Sequence, residues 1–286
     1  MSTVTDFVRR RSVLAYFALT FAISWGGILL LIGGPSAIPT PSEEAMKLLP
    51  VAILIMVAGP TVAGILLTGL TYGRAGLREF GSRLIKFRVP VRWYAVAILT
   101  APFVVAVILF AFSRTSSTFI PDIVTVDDKV ALLISGIAAG LAAGIFEEIG
   151  WSGFAVPQLR KRYSILATGL IVGFVWGIWH FLVTFWGNGD ASGGFALDLL
   201  VPPLIFYLGV LPAYRVLLVW VYDHTGSLLV VMLMHASLTA NTNFILSPSA
   251  TGVPFTVYYL VLSAAMWIVA AAAIVAQRRA ASRVRN

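Results

Sequence analysis

Residues 140–156 read GLAAGIFEEIGWSGFAV, so two adjacent carboxylates, Glu147 and Glu148, sit in a stretch where apolar sequence continues on both sides. An ionisable side chain in a bilayer core costs on the order of 2.5–3.5 kcal/mol on insertion scales, and a glutamate pair in such a run is a functional candidate by default. The rest of the chain decides whether the run crosses a membrane. Of 286 residues, 59% are hydrophobic and 11% charged, whereas an ordinary soluble domain carries about a quarter charged residues. A mean hydropathy of +0.93 leaves no stretch polar enough for a separate aqueous domain, and the chain reads as one polytopic membrane domain. Soluble enzymes, filaments and nucleic-acid binders are excluded together. The net charge of +8 comes from basic residues scattered between apolar spans, a pattern that fits membrane orientation better than a nucleic-acid surface. There is no cysteine. Disulfides, thiolate metal sites and a cysteine nucleophile therefore drop out, and any chemistry falls to Glu, Asp, His, Ser and Thr.

About 20 apolar residues cross a bilayer core as a helix, and the chain offers eight such runs, near 13–34, 48–72, 93–112, 133–159, 164–186, 198–222, 227–246 and 255–276. The expected fold is an all-α integral membrane protein. The first run follows Arg9, Arg10 and Arg11 but is too long for a signal peptide and lacks a small-residue cleavage site, so it reads as a retained helix. Lys and Arg near short loops set orientation. By an eight-span count with both termini cytoplasmic, 17 of the 20 basic residues fall on the cytoplasmic side. They are Arg9 to Arg11, the connector residues Arg74, Arg78, Arg83, Lys86, Arg88 and Arg92, the triplet Arg160 to Arg162, Arg215, and Arg278, Arg279, Arg283 and Arg285. The predicted organisation is a block of three helices over 1–129 with a basic connector at 73–92, a core over 130–246, and a last helix with a basic tail over 247–286. No internal repeat is present.

Two histidines join the glutamates in apolar runs: His180 in GFVWGIWHF and His235 in VVMLMHASLTANTNF. His224 sits in the polar segment 223–226 and reads as a solvated loop residue. If the fourth and fifth runs form a hairpin about the basic turn 160–164, Glu147 and His180 are each about 16 residues from its centre, roughly 24 Å of helix, and sit level. His235 lies about nine residues past its connector, roughly 13 Å in, near mid-bilayer. Three helices can thus point a carboxylate pair and two imidazoles at one spot. Gly140, Gly144, Gly150 and Gly153 on one helix, and Gly169, Gly173 and Gly177 on the next, allow the close packing this needs. A break at Pro157 would alter those depths.

Two chemical readings fit. In one, two imidazoles and a carboxylate bind zinc or another divalent metal and leave a position open for water. In the other, no cofactor is present: Glu147, supported by His180, is a general base on water, while His235 and a neighbouring polar group donate to the oxyanion. Helical offsets put Trp176 on the face of His180, and Thr239 and Thr242 near that of His235, with Asn241 pointing away and Asn243 intermediate. The plainer readings are packing histidines, a cation or proton site in a transporter, tryptophans as packing or interface anchors, a lipid-facing connector at 74–92, and a solvated acidic loop at 122–128.

The segments Glu147-Glu148-Ile149-Gly150-Trp151-Ser152-Gly153-Phe154-Ala155, Phe174-Val175-Trp176-Gly177-Ile178-Trp179-His180 and His235-Ala236-Ser237 resemble, in order and spacing, the three motifs of the CPBP family of intramembrane proteases, which includes the type II CAAX prenyl endopeptidases. The resemblance covers roughly residues 130–245. It implies an eight-helix endopeptidase with a cavity open toward the cytoplasm, in which Glu147 and His180 activate water and His235 helps stabilise the oxyanion. Glu148 and Thr239 come next among the implied catalytic residues, and Glu147, His180 and His235 would be the ligands if a metal is used. The first motif normally ends in Arg where this chain has Ser152, the second usually has Phe where it has Trp176, and the third usually has Asn or Asp where it has Thr239. The expected function is hydrolysis of membrane-associated or membrane-delivered peptides at the cell membrane, with a peptide or protein substrate and the lipid bilayer as partners. A catalytically silent protein of the same fold, acting by binding, is the alternative, and a transporter comes third.

Overall fold

The computed structural model describes residues 10–285, and their side chains through Arg279. Eight helices are long and apolar enough to cross a membrane. In chain order they are α1 (Ser12–Ile32), α2 (Ser42–Leu84), α3 (Val91–Ser113), α4 (Lys129–Arg160), α5 (Ile165–Gly187), α6 (Leu197–Thr225), α7 (Leu228–Ile245) and α8 (Gly252–Arg285). They coincide with the eight predicted runs. Among the described residues there is no β-strand, only isolated bridges such as Pro121 to Pro248. The large apolar side chains left outward, among them Leu30, Phe103, Phe110 and Ile268, are exposed, as lipid-facing helices require.

Local sequence explains the ends. The Asp128 carboxylate accepts from Ala131 N–H at the start of α4, and the Ser164 and Ser227 hydroxyls do the same for Ala167 and Val230 at the starts of α5 and α7. Gly33 and Gly226, both at positive φ, close α1 and α6. In the loop after α5, Asp190 accepts from the hydroxyl and N–H of Ser192 and the N–H of Gly194, which hold its carboxyl below the usual range.

The glycines set the packing of the core helices. A side-chain carbon on Gly144 would lie 2.4 Å from the Met232 carbonyl oxygen, and one on Gly140 2.5 Å from that of Ala236, so α4 and α7 touch backbone to backbone. Gly169, Gly173 and Gly177 do the same for α5 against Val216, Pro212 and Tyr207 of α6. Missing side chains thus bring α4, with Glu147, against α7, with His235, and α5, with His180, against α6, with Arg215. Pro157 introduces no break, because α4 runs on to Arg160. A π-helical turn at Trp151–Ala155 precedes it and supplies the wider loop a proline ring needs.

The structure differs from expectation in the basic connector. Gly73, at φ 62°, kinks α2, yet the chain stays helical to Leu84. Phe80 is buried against Leu228 and Met232, Arg83 Nη1 donates to Tyr222 Oη at 2.7 Å, and Ser227 Oγ donates to the Lys86 carbonyl at 2.6 Å. Three apolar and polar anchors thus hold the segment on the core, whereas charge alone suggested lipid contact. The tryptophans take one of their two expected roles. Trp151, Trp176, Trp179 and Trp186 are all buried, so they pack the interior and none is an interface anchor.

Candidate active site

Glu148 continues the glycine face of α4 that meets α7, and Glu147 turns toward α5. The two neighbours consequently have different partners. Glu148 is completely buried. Its Oε1 receives His235 Nδ1 at 2.7 Å, and its Oε2 receives Arg215 Nη1 at 2.7 Å together with the Ser152 hydroxyl. Glu147 receives a single neutral donor, Trp176 Nε1, on Oε2 at 2.6 Å. Its other oxygen is uncommitted.

His180 ends the first stretch of α5, where its Nδ1 lies 2.8 Å from the Trp176 carbonyl. A carbonyl only accepts, so Nδ1 carries the proton and Nε2 of the neutral ring keeps its lone pair. The Tyr207 ring stacks on the imidazole at 4.6 Å and 14°, and the Trp179 ring meets its edge at 4.9 Å. His235 lies under the Trp176 ring at 5.0 Å. With Nδ1 engaged by Glu148, its Nε2 is an acceptor in the neutral ring and a donor in the imidazolium.

A cavity of about 320 Å³ joins these groups, lined by Glu147, Trp176, His180, His235, Thr239 and Asn243 on its polar side. Pro203, Phe206, Leu211, Leu238 and Tyr259 form the apolar side. The structure therefore brings Glu147, His180, His235 and Thr239 to one space, as the spacing predicts, while Glu148 stands behind His235 and does not line it. No hydrogen bond joins Glu147 directly to His180 among the described contacts; Trp176 links them, giving its indole N–H to one and its carbonyl to the other. Thr242 also lines the cavity, and Asn241 turns back to the Ser237 carbonyl. His224 is exposed as expected but belongs to the last turn of α6, its ring 5.0 Å from Trp93.

One site residue escaped the sequence reading and another was placed only as intermediate. Arg215, counted there as an orientation signal, is fully buried and ion-paired with Glu148. A basic residue four positions after Leu211 in an apolar run was the available signal. Asn243 lines the cavity because α7 ends in a π-helical turn, Asn241–Ile245, which shifts its register relative to an α-helix. Its Oδ1 accepts from Thr242 Oγ1 at 3.2 Å, leaving the amide N–H groups as donors.

Glu147 Oε1, His180 Nε2 and His235 Nε2 match the chemistry of a two-histidine, one-carboxylate metal set. Among the described residues, however, no three such side chains converge as a metal-holding group. The rim residues Pro203, Asn243 and Tyr259 lie six, two and seven residues from the helix ends joined to loops 188–196 and 246–251. That end of the bundle is opposite to the basic turn 160–164.

A family model described as Rce1-like, type II CAAX prenyl endopeptidase, matches residues 129–240. The chain is also similar to CAAX prenyl protease 2 of Methanococcus maripaludis, 29% identical over 102 residues, covering 35% of this chain and 37% of that protein. The chain thus spans little more than a third of the relative's length in the matched region. The matched stretch contains Glu147, Glu148, His180, Arg215, His235 and Thr239, and in it the chain is similar to the type II CAAX prenyl endopeptidases.

Proposed function

We propose that this protein is an intramembrane endopeptidase that hydrolyses peptide bonds with water activated by Glu147. The observation that carries the reading is one cavity, inside membrane-spanning helices, that collects an uncommitted carboxylate oxygen and two oriented imidazoles. Glu147 takes a proton from water as the water oxygen bonds to the scissile carbonyl carbon. His180 Nε2, held by its Nδ1 bond and the Tyr207 stack, orients that water. The negative oxygen of the tetrahedral intermediate receives hydrogen bonds from His235 Nε2, as the imidazolium, and from the Asn243 amide or the Thr239 hydroxyl. The C–N bond then breaks and Glu147 returns the proton to the leaving amine. Phe206, Leu211, Leu238 and Tyr259 favour an apolar peptide segment, delivered by or within the membrane. No step is routed through a metal.

If the basic residues set the orientation with both termini cytoplasmic, the helix ends nearest Asn243 and Pro203 lie on the opposite face. This departs from the cytoplasm-facing cavity that the resemblance implies, and it gives no support to prenylated CAAX tails as the substrate.

The test is cleavage of a fluorogenic peptide library by detergent-purified protein, comparing wild type with Glu147→Ala, with and without a chelator. Cleavage falling by about 10³-fold in the variant supports the reading, and chelator insensitivity supports the metal-free form. Equal cleavage by a folded Glu147→Ala variant refutes it, and wild-type inactivity across the library turns the assignment to a silent member of the family acting by binding.

A further inference from the structure

The ion pair at the floor of the site goes beyond the general reaction. Arg215 is buried completely, with Nη1 on Glu148 and 3.5 Å from Ser152 Oγ, and its guanidinium carbon lies 4.1 Å over the Trp176 ring. The arginine therefore touches both arms of the site. Through Glu148 it bears on His235, and through Trp176 it bears on Glu147. Its Nε and Nη2 have no hydrogen-bond partner among the described residues. Burying a guanidinium with two idle donors is costly, and packing alone does not require it, because an apolar side chain would fill the same space at lower cost.

The neighbours are shaped to admit this side chain. Gly173 of α5 faces the stem, and a side-chain carbon there would lie 3.1 Å from Arg215 Cβ. Ser152, fully buried one turn after Glu148, is small enough to leave room for the guanidinium and adds a second donor to the same carboxylate oxygen. A long cationic side chain at position 152 would put two positive charges beside one carboxylate in a dry space. The pair Ser152 and Arg215 is thus one unit.

We propose that Arg215 is a positioning residue of this site, supplying from α6 the cation that the first motif usually carries at position 152, with Ser152 as its companion. It holds Glu148 so that the carboxylate aims His235, and it braces the Trp176 ring that aims Glu147. This rests on the protease reading for its effect on rate but not for its effect on His235.

The test measures two quantities in Arg215→Lys, Arg215→Met and the double variant Ser152→Arg/Arg215→Met. One is kcat and KM on the best library peptide. The other is the ring ¹⁵N shift of His235 at fixed pH, accessible because the chain has three histidines. Lys keeps the charge but loses the fork, so Arg215→Lys should lower kcat about tenfold with KM little changed. The His235 nitrogens should shift while those of His224 stay in place. Arg215→Met should lower kcat about 100-fold, and the double variant should recover about tenfold of it. Unchanged kcat and an unchanged His235 shift in Arg215→Lys overturn the proposal, as does a lower kcat with His235 unmoved. If Arg215→Met does not fold, the lysine variant decides. If the wild type cleaves nothing, the protease reading fails and the His235 shift alone still judges Arg215.

Discussion

Glu147 and Glu148 are adjacent in the chain yet differ in almost every contact, and the proposed mechanism uses this difference, with one acid working while the other stays fixed. Glu148 is ringed by Arg215, His235 and Ser152; Glu147 meets one indole N–H and open cavity. Sequence reasoning located the pair, because charge in an apolar run is costly, and named Glu147 as the base, but it did not give Glu148 its partners. Which neighbour faces which helix depends on the angle at which α4 lies on α7 and α5. Asn243 follows the same lesson, since its distance from His235 on an ideal helix is ambiguous. Its amide is the better donor beside Thr239, so Asn243→Ala should lower kcat about tenfold to 100-fold and leave KM within a few-fold, as loss of an oxyanion donor does. A change in KM alone, measured on the same peptide, would place Asn243 in substrate binding instead.

At the scale of helices, the number and order of the eight runs were legible because about 20 apolar residues have one way to satisfy their backbone in lipid, although α2 and α8 extend about ten residues past their predicted ends. Three features were not legible. The π-helical turns at Trp151–Ala155, Phe206–Val210 and Asn241–Ile245 break the 3.6-residue period on which face assignments rest. The kink at Gly73 turns half of a predicted connector into a helix that caps the core through Phe80. The glycine faces, in contrast, were readable from spacing alone. They also make a prediction at this scale. Gly144→Ala puts a carbon 2.4 Å from the Met232 carbonyl, so α4 and α7 must separate, costing about 1–3 kcal/mol. Thermal unfolding in detergent should show a lowered midpoint, with activity falling further than stability because Glu147 and His235 move apart. Retention of both would mean that the helices are less tightly packed than described.

For the whole molecule, the asymmetry of basic residues was the strongest sequence signal of orientation, and Arg215 is its instructive exception. A charge count treats every arginine as a surface residue, whereas this one is an internal counter-ion. The connector 74–92 and the turn 160–164 lie at the end of the bundle opposite loops 188–196 and 246–251. The absence of cysteine permits a clean test with single-cysteine variants and a membrane-impermeant thiol reagent in sided vesicles. Ser82→Cys, beyond the Gly73 kink, should react from the cytoplasmic side. Ser192→Cys, in loop 188–196, should react from the other, and Asn243→Cys should react with Ser192→Cys. Reaction of Asn243→Cys together with Ser82→Cys would place the cavity mouth on the basic side.

The most direct test of the central claim is single-turnover cleavage of a membrane-inserted peptide in H₂¹⁸O by wild type and Glu147→Gln, read by mass spectrometry of the new carboxyl terminus. The account predicts one ¹⁸O in the product of the wild type and a rate about 10³-fold lower in the variant, whose amide cannot take the proton of water. Cleavage at the wild-type rate by Glu147→Gln, or a product without ¹⁸O, would contradict it.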